Sequence, residues 1–217
     1  FLKTDPSLEA PDVQLHFVVS LVEDHARKLH MAHGYSCHVC VLRPKSRGQI
    51  TLASNSMKYA PFIDPAFLAE EEDLETLVKG YKLTKQLMDA PAFTKIRKKD
   101  IFTPHVKTDE DIRRIIRERA DTVYHPVGTC KMGNDAMAVV DASLKVYGIE
   151  GLRVVDGSIM PTLIGGNTNA QPQAHIGLDH VRINGFQRNA RLQVGVGKGQ
   201  VNLGAGGKRG VVGDQRL

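Results

Sequence analysis

The stretch AEEEDLETLVKGYKLTKQLMDAPAF, residues 69–93, has the sequence pattern of a long amphipathic helix. Its apolar residues recur close to the helical period, which places them on one face: Leu74, Leu77, Val78, Tyr81 and Met88. Acidic residues fill the first turn, where they complement the helix dipole, and Pro91 stands just beyond the end. We therefore predict a helix that packs one face against a core.

A second helix is predicted in KTDEDIRRIIRERAD, residues 107–121. Thr108 and Asp111 have the spacing of a capping box. A buried stripe is predicted at Ile112, Ile115 and Ile116, and the arginines lie among acidic residues, which indicates a solvated charged face. The earlier run VQLHFVVSLVEDHARKL, residues 13–29, fits a strand or a helix at its start, and the pattern leaves both open.

Strand patterns lie on both sides of the first helix. CHVCVLRP (residues 37–44) and GQITLAS (residues 48–54) flank the turn-like KSRG, and we predict that they pair antiparallel. SLKVYGIEGLRVVDGSIMP (residues 143–161) predicts another hairpin around Gly148–Gly151. Helices mixed with such strands indicate an α+β fold, an antiparallel sheet with flanking helices.

The composition, 217 residues of which 41% are hydrophobic, allows a real core. No window approaches the roughly 18 apolar residues of a membrane span, and the N-terminal FLKTDPSLEAPD lacks the pattern of a signal peptide. The chain begins without methionine, which we interpret as a segment of something longer. Its three cysteines favour a reducing compartment, so we expect the cytoplasm or the periphery of the inner membrane.

Cys37 and Cys40 have the CxxC spacing found in zinc and redox sites. On a strand, however, residues three apart point to opposite faces, and the sequence holds no second CxxC to complete four ligands. We therefore expect two half-buried strand cysteines and no metal site.

Charge divides the chain at about residue 170. Residues 171–217 hold seven Lys or Arg against two Asp, so the whole formal charge of +5 lies in this tail. The tail also holds ten of the twenty glycines and no sustained apolar period, so we predict poor order. An alternative function is nonspecific polyanion binding through this tail, although its positive charges are widely spaced.

Four motifs carry a resemblance to a known family: LRPKSRGQITLAS (42–54), YHPVGTCKMG (124–133), LRVVDGSIMPT (152–162) and GGNTNA (165–170). Their order and spacing are similar to the C-terminal half of the glucose–methanol–choline (GMC) oxidoreductases, FAD-dependent enzymes that oxidise alcohols. Within that family, the sequences of the four motifs most resemble those of bacterial choline and aliphatic-alcohol dehydrogenases. The resemblance implies that residues 1–170 form the substrate-binding domain, and we interpret residues 171–217 as foreign to that fold.

The resemblance implies that His125 accepts the alcohol's hydroxyl proton as hydride leaves carbon for the flavin. An imidazole suits this role because it titrates near neutral pH, and Pro126 restricts the backbone before it. The polar partner of this histidine in the family falls on Asn169, whose carboxamide can hydrogen-bond the substrate oxygen without competing for the proton. The residues alone also allow a structural histidine and a GGNTNA turn that opens a helix.

Cofactor contacts are implied as well. The resemblance places Asp156 and Gly157 near the ribityl and pyrophosphate region of FAD, and Asn167 and Thr168 near its ring. Glycine permits close backbone approach, although VVDGS taken alone is a strand that enters a turn. The family's Rossmann half, which holds the dinucleotide, has no counterpart in this sequence.

The expected function is that of the C-terminal part of an FAD-dependent alcohol dehydrogenase. The expected reaction oxidises a primary alcohol, choline-like or aliphatic, to an aldehyde. The expected partners are that alcohol and an N-terminal FAD-binding half. The alternative is an incomplete, catalytically inactive fragment, because the main flavin domain is lacking.

Overall fold

Residues 1–24, 28 and 30–168 are described in a computed structural model of the chain. They form four strands and two α-helices, together with short 3₁₀ turns at Pro91–Phe93 and Gly157–Ile159: β1 (Val13–Val18), β2 (Ser36–Val41), β3 (Gln49–Thr51), β4 (Phe62–Asp64), α1 (Glu71–Met88) and α2 (Asp109–Arg119). This composition of elements confirms the α+β fold. Neither helix in the described part of the chain is long and apolar enough to cross a membrane.

The chain divides into two compact units, Phe1–Asn167 and Thr168–Leu217. Almost all of the second unit lies outside the described residues. The predicted domain boundary after residue 170 and the predicted disorder and foreign origin of residues 171–217 therefore stay predictions.

Both helices follow from local sequence. α1 ends at Met88, three residues before Pro91, which has no backbone N–H and cannot continue the hydrogen-bond ladder. At the start of α2 the predicted capping box is confirmed. The Oγ1 of Thr108 accepts from the backbone N of Asp111 at 3.1 Å, and the Asp111 carboxylate accepts from the backbone N of Thr108 at 3.0 Å.

The strand pairing differs from the prediction. β2 pairs antiparallel with β1, Val13 lying opposite Val41, and β3 pairs antiparallel with β4. The expected hairpin between residues 37–44 and 48–54 is therefore wrong, although each segment contains a strand. The undecided residues 13–18 form the missing partner strand.

Asp73, buried in the first turn of α1, explains why β2 does not turn back into β3. Its carboxylate accepts hydrogen bonds from the backbone N of Lys45 and of Ser46, each at 2.8 Å, and from the Ser46 hydroxyl at 2.5 Å. These bonds hold the connection after β2 against the start of α1. The KSRG segment is thus a helix-bound loop and not a hairpin turn.

One face of the β1–β2 sheet packs against α1. Val13 is completely buried there, and Gly80 of α1 lies directly against the sheet. A Cβ on Gly80 would lie 2.9 Å from the Cγ2 of Val39 and 3.3 Å from the Cγ1 of Val13. Glycine therefore sets the close approach of helix and sheet. Within the described residues, the other buried apolar side chains are Leu42, Leu74, Val78, Ile112, Ile115, Val140 and Ile159.

Residues 143–161 reverse direction where predicted. The backbone N of Val146 donates to Leu152 O at 3.1 Å, and Lys145 and Arg153 form an antiparallel bridge. Gly148 and Gly151 have φ values of +76° and +74°, which glycine adopts without steric cost. The two arms of the reversal are joined by isolated β-bridges and do not form two full strands.

Candidate active site

The segment that follows His125 runs beside the 3₁₀ turn at Gly157–Ile159. The backbone N of Cys130 donates to Ser158 O at 3.0 Å, and the backbone N of Met132 donates to Ile159 O at 2.8 Å. The structure thus brings the predicted proton-accepting motif and the predicted cofactor motif together.

Of the two glycines in these segments, Gly128 is the one that this close approach requires. Gly128 has a φ of +90°, and a Cβ on it would lie 3.3 Å from Met160 O. A Cβ on Gly157 would lie 3.9 Å from the Cγ1 of Val127 and 4.0 Å from Pro126 O. These are ordinary van der Waals distances, so a Cβ at position 157 would touch the segment that follows His125 without displacing it.

The residue before His125 has an unusual backbone. Tyr124 has a φ of +65°, a left-handed conformation that is rare for residues with a large side chain. Its backbone N donates to the Oγ1 of Thr122 at 2.9 Å, which supports the turn. Pro126 restricts the backbone of His125 from the other side. The half-buried His125 is thus held between two constrained residues.

A second histidine faces this region from the sheet. The register of β1 and β2 places His16 directly opposite His38 and places Gln14 opposite Cys40. These four residues share the face that α1 does not cover, whereas Cys37 lies on the α1 side. The expectation that the two CxxC cysteines point to opposite faces is confirmed.

Electrostatic interactions connect this sheet face with His125. Burial lowers the pKa of His16, and the charge of the nearby His125 lowers it further. Burial also lowers the pKa of His38, with a contribution from His16. The imidazole Nε2 of His16 lies 3.5 Å from the Cys40 Sγ, and burial raises the pKa of that thiol. At neutral pH this face therefore carries uncharged imidazoles and an uncharged thiol.

The other predicted cofactor residues differ in their hydrogen bonds and in their exposure. The Asp156 carboxylate caps the 3₁₀ turn, accepting from the backbone N of Ser158 at 2.8 Å and from its hydroxyl at 2.5 Å. Asn167 is exposed at the end of the first unit, and the buried Thr168 begins the second. Asn169, the predicted partner of His125, lies outside the described residues.

The residues that are described fit the edge of a flavin. The turn at Gly157 lies beside the segment that follows His125, and the exposed Asn167 offers an amide that can donate and accept. The Asp156 carboxylate, by contrast, is already used within its own turn, so its direct contribution would be to shape the backbone. No group of three or more His, Cys, Asp or Glu within residues 1–24, 28 and 30–168 is arranged to hold a metal ion.

Sequence reasoning missed His16. Its signal was the alternation of the polar Gln14 and His16 with apolar neighbours, which is informative once residues 13–18 are assigned to a strand.

Comparison with known proteins agrees with the motifs. The sequence model of the GMC oxidoreductase family matches residues 44–175. The chain is 46% identical over 171 residues to the alcohol dehydrogenase [acceptor] of Pseudomonas putida, which covers 78% of the chain and 31% of that relative. It is 39% identical over 172 residues to the oxygen-dependent choline dehydrogenase of Cronobacter sakazakii, with coverage of 78% and 31%.

A solved structure shows the same architecture. A formate oxidase variant from Aspergillus oryzae, made to study FAD modification, superposes with a TM-score of 0.66 at 26% sequence identity. The match covers 74% of this chain and 29% of that protein. The chain therefore spans about a third of the length of the proteins it matches.

Proposed function

The chain belongs to the GMC oxidoreductase family, and we propose that it forms the substrate-binding and proton-accepting part of an FAD-dependent alcohol dehydrogenase. The proposed reaction converts a primary alcohol, choline-like or aliphatic, to an aldehyde. The observation that carries the proposal is the pairing of the segment after His125 with the Gly157–Ile159 turn. It joins the residue suited to proton transfer to the residues suited to a flavin edge.

In this proposal His125 accepts the hydroxyl proton of the alcohol. FAD, when bound, supplies the hydride acceptor. Removal of the proton places negative charge on the alcohol oxygen, which favours departure of hydride from the adjacent carbon. Asn169 is proposed to hydrogen-bond that oxygen, because a carboxamide can donate without accepting the proton itself.

The sheet face that carries His16 supports proton uptake at His125. Because burial and His125 both lower the pKa of His16, that imidazole is neutral when the alcohol is deprotonated. A proton taken up by His125 then does not meet a second positive charge on β1. Because the Nε2 of His16 lies 3.5 Å from the Cys40 Sγ, its other ring nitrogen, Nδ1, is the atom it would offer to a polar substrate.

The proposed partner is an FAD-binding part of the polypeptide that precedes this region in the relatives. We further propose that the 217-residue chain alone does not oxidise alcohols, because the described residues offer only the edge of a flavin site.

A fusion enzyme tests the proposed function. The full chain is joined behind the N-terminal part of the Pseudomonas putida alcohol dehydrogenase that precedes the matched region. We expect the purified fusion to retain FAD and to reduce an artificial dye when an alcohol is added. A fusion that retains FAD but shows no alcohol-dependent reduction contradicts the proposal.

A further inference from the structure

Arg43 contacts two segments that are far apart in the sequence. It directly follows β2, and its Nη1 donates to the carbonyl of Pro11, just before β1. The other side of its guanidinium lies on Gly165, in the loop that leads to Asn167. A Cβ on Gly165 would lie 2.6 Å from Arg43 Nη2, 3.2 Å from Cζ and 3.6 Å from Nη1.

These contacts explain a glycine at position 165. A Cβ would occupy the place of the guanidinium, so only glycine lets the Arg43 side chain cover the loop backbone. The next residue is different, because a Cβ on Gly166 would have no neighbour within 4 Å. Neither glycine has a positive φ, so an alanine at either position is compatible with the backbone.

The chemistry of arginine suits this bridge. A charged donor strengthens a hydrogen bond to a carbonyl oxygen, and a planar guanidinium can stack on a peptide while it donates at its edge. A lysine ammonium group carries the same charge but is not planar, so it cannot stack in this way. Arg43 is exposed, so the bridge depends on the fit of its guanidinium between the two backbone segments.

We infer that Arg43 is a positioning residue that fixes the loop at residues 164–167 relative to the start of β1, and so places Asn167 with respect to the strand that carries His16. The catalytic consequence of this role rests on the proposed function, whereas the contact of Arg43 with the loop does not depend on it. A displacement of about 1 Å in a positioned group can cost on the order of 100-fold in rate, so a loop that loses this bridge should lose activity while the fold is kept.

Two adjacent glycines provide a matched test in the fusion enzyme. Gly165→Ala should push the flexible end of Arg43 away and lower kcat/KM by about 10- to 100-fold, mostly through kcat, whereas Gly166→Ala should stay within about twofold. Arg43→Ala should match Gly165→Ala. Adding Gly165→Ala to Arg43→Ala should then have no further effect, because both changes remove the same contact.

Amide hydrogen exchange of residues 164–167 separates this inference from the proposed function. Arg43→Ala and Gly165→Ala should both speed exchange there at least fivefold, and Gly166→Ala should not, even in a fusion that lacks alcohol oxidation. Equal exchange in the two glycine variants, or additive losses in the double variant, would overturn the role of Arg43. An inactive parent fusion with the expected exchange pattern would overturn the proposed function and leave the Arg43 contact standing.

Discussion

The imidazole Nε2 of His16 lies 3.5 Å from the thiol Sγ of Cys40, on the sheet face that α1 leaves uncovered. Burial lowers the pKa of His16 and raises the pKa of Cys40. The pair is therefore a neutral imidazole beside a neutral thiol, and not the imidazolium–thiolate pair of a reactive cysteine.

This arrangement predicts that the Cys40 thiol is alkylated slowly. Cys40 should react with iodoacetamide at neutral pH more slowly than a free cysteine, because the thiolate is the nucleophile. Mass spectrometry of the digested chain measures the modified fraction with time. His16→Ala should leave the rate unchanged or raise it slightly. A tenfold slower reaction in His16→Ala would show that His16 activates the thiol, contrary to the account.

The same lowered pKa values predict that stability depends on pH. An imidazole has an ordinary pKa of about 6.5. Because His16 and His38 bind protons less readily in the folded chain, the unfolded chain holds more protons below that pH. The contribution of the two histidines to the free energy of unfolding is therefore largest above about pH 6.5. It declines as the pH falls from there toward their lowered pKa values.

Urea unfolding between about pH 7.5 and pH 5 measures how the free energy of unfolding depends on pH. This range spans the ordinary imidazole pKa of about 6.5. His38→Gln should flatten the decline, and His105→Gln, at an exposed position, should leave it as in the parent. A His38→Gln variant with an undiminished decline would be the contrary result.

Asp73 should contribute more to stability than its neighbour Glu72. Asp73→Asn replaces a buried carboxylate that accepts from two backbone N–H groups and a hydroxyl, so we expect a loss of about 2 kcal/mol in the free energy of unfolding. Glu72 forms only an exposed ion pair with Lys45, and Glu72→Gln should cost less than about 0.5 kcal/mol. Equal losses in the two variants would show that Asp73 does not hold the loop after β2.

Gly80 should resist replacement although it lies inside a helix. Alanine is the better helix former by about 1 kcal/mol, but its Cβ would lie 2.9 Å from the stiff side chain of Val39. Gly80→Ala is therefore expected to destabilise the chain by about 1–3 kcal/mol. The exposed Lys79→Ala is the control on the same turn and should stay within about 0.5 kcal/mol.

A double variant identifies the cause of that loss. In a Val39→Ala background, Gly80→Ala should cost clearly less, because the methyl group it meets is gone. Thermal or urea unfolding of the four chains gives the coupling. An unchanged cost in the Val39→Ala background would contradict close packing as the reason for glycine.

Local sequence was enough to predict the helices, because their signals are contained within one or two turns: the capping box at Thr108 and the stop before Pro91. The strand pairing could not be predicted this way. It depends on Asp73, which binds backbone at Lys45 and Ser46 from a distant part of the sequence. A hairpin pattern carries no information about such a competing partner.

For the site, the motifs located His125 and Gly157, but their proximity is a result of the fold. It depends on the hydrogen bond from Cys130 N to Ser158 O, between segments that sequence patterns treat separately. His16 was missed because residues 13–18 fit either a strand or a helix, and its orientation is defined only after that choice.

The rate of alcohol-dependent dye reduction by the fusion enzyme, measured for His125→Ala and for the control His105→Ala, tests the proton-accepting role most directly. Loss of a general base typically costs 100- to 10,000-fold, so kcat/KM should fall by at least about 100-fold in His125→Ala with FAD still bound. His105→Ala should match the parent. An FAD-bound His125→Ala fusion that keeps parental activity would contradict the account.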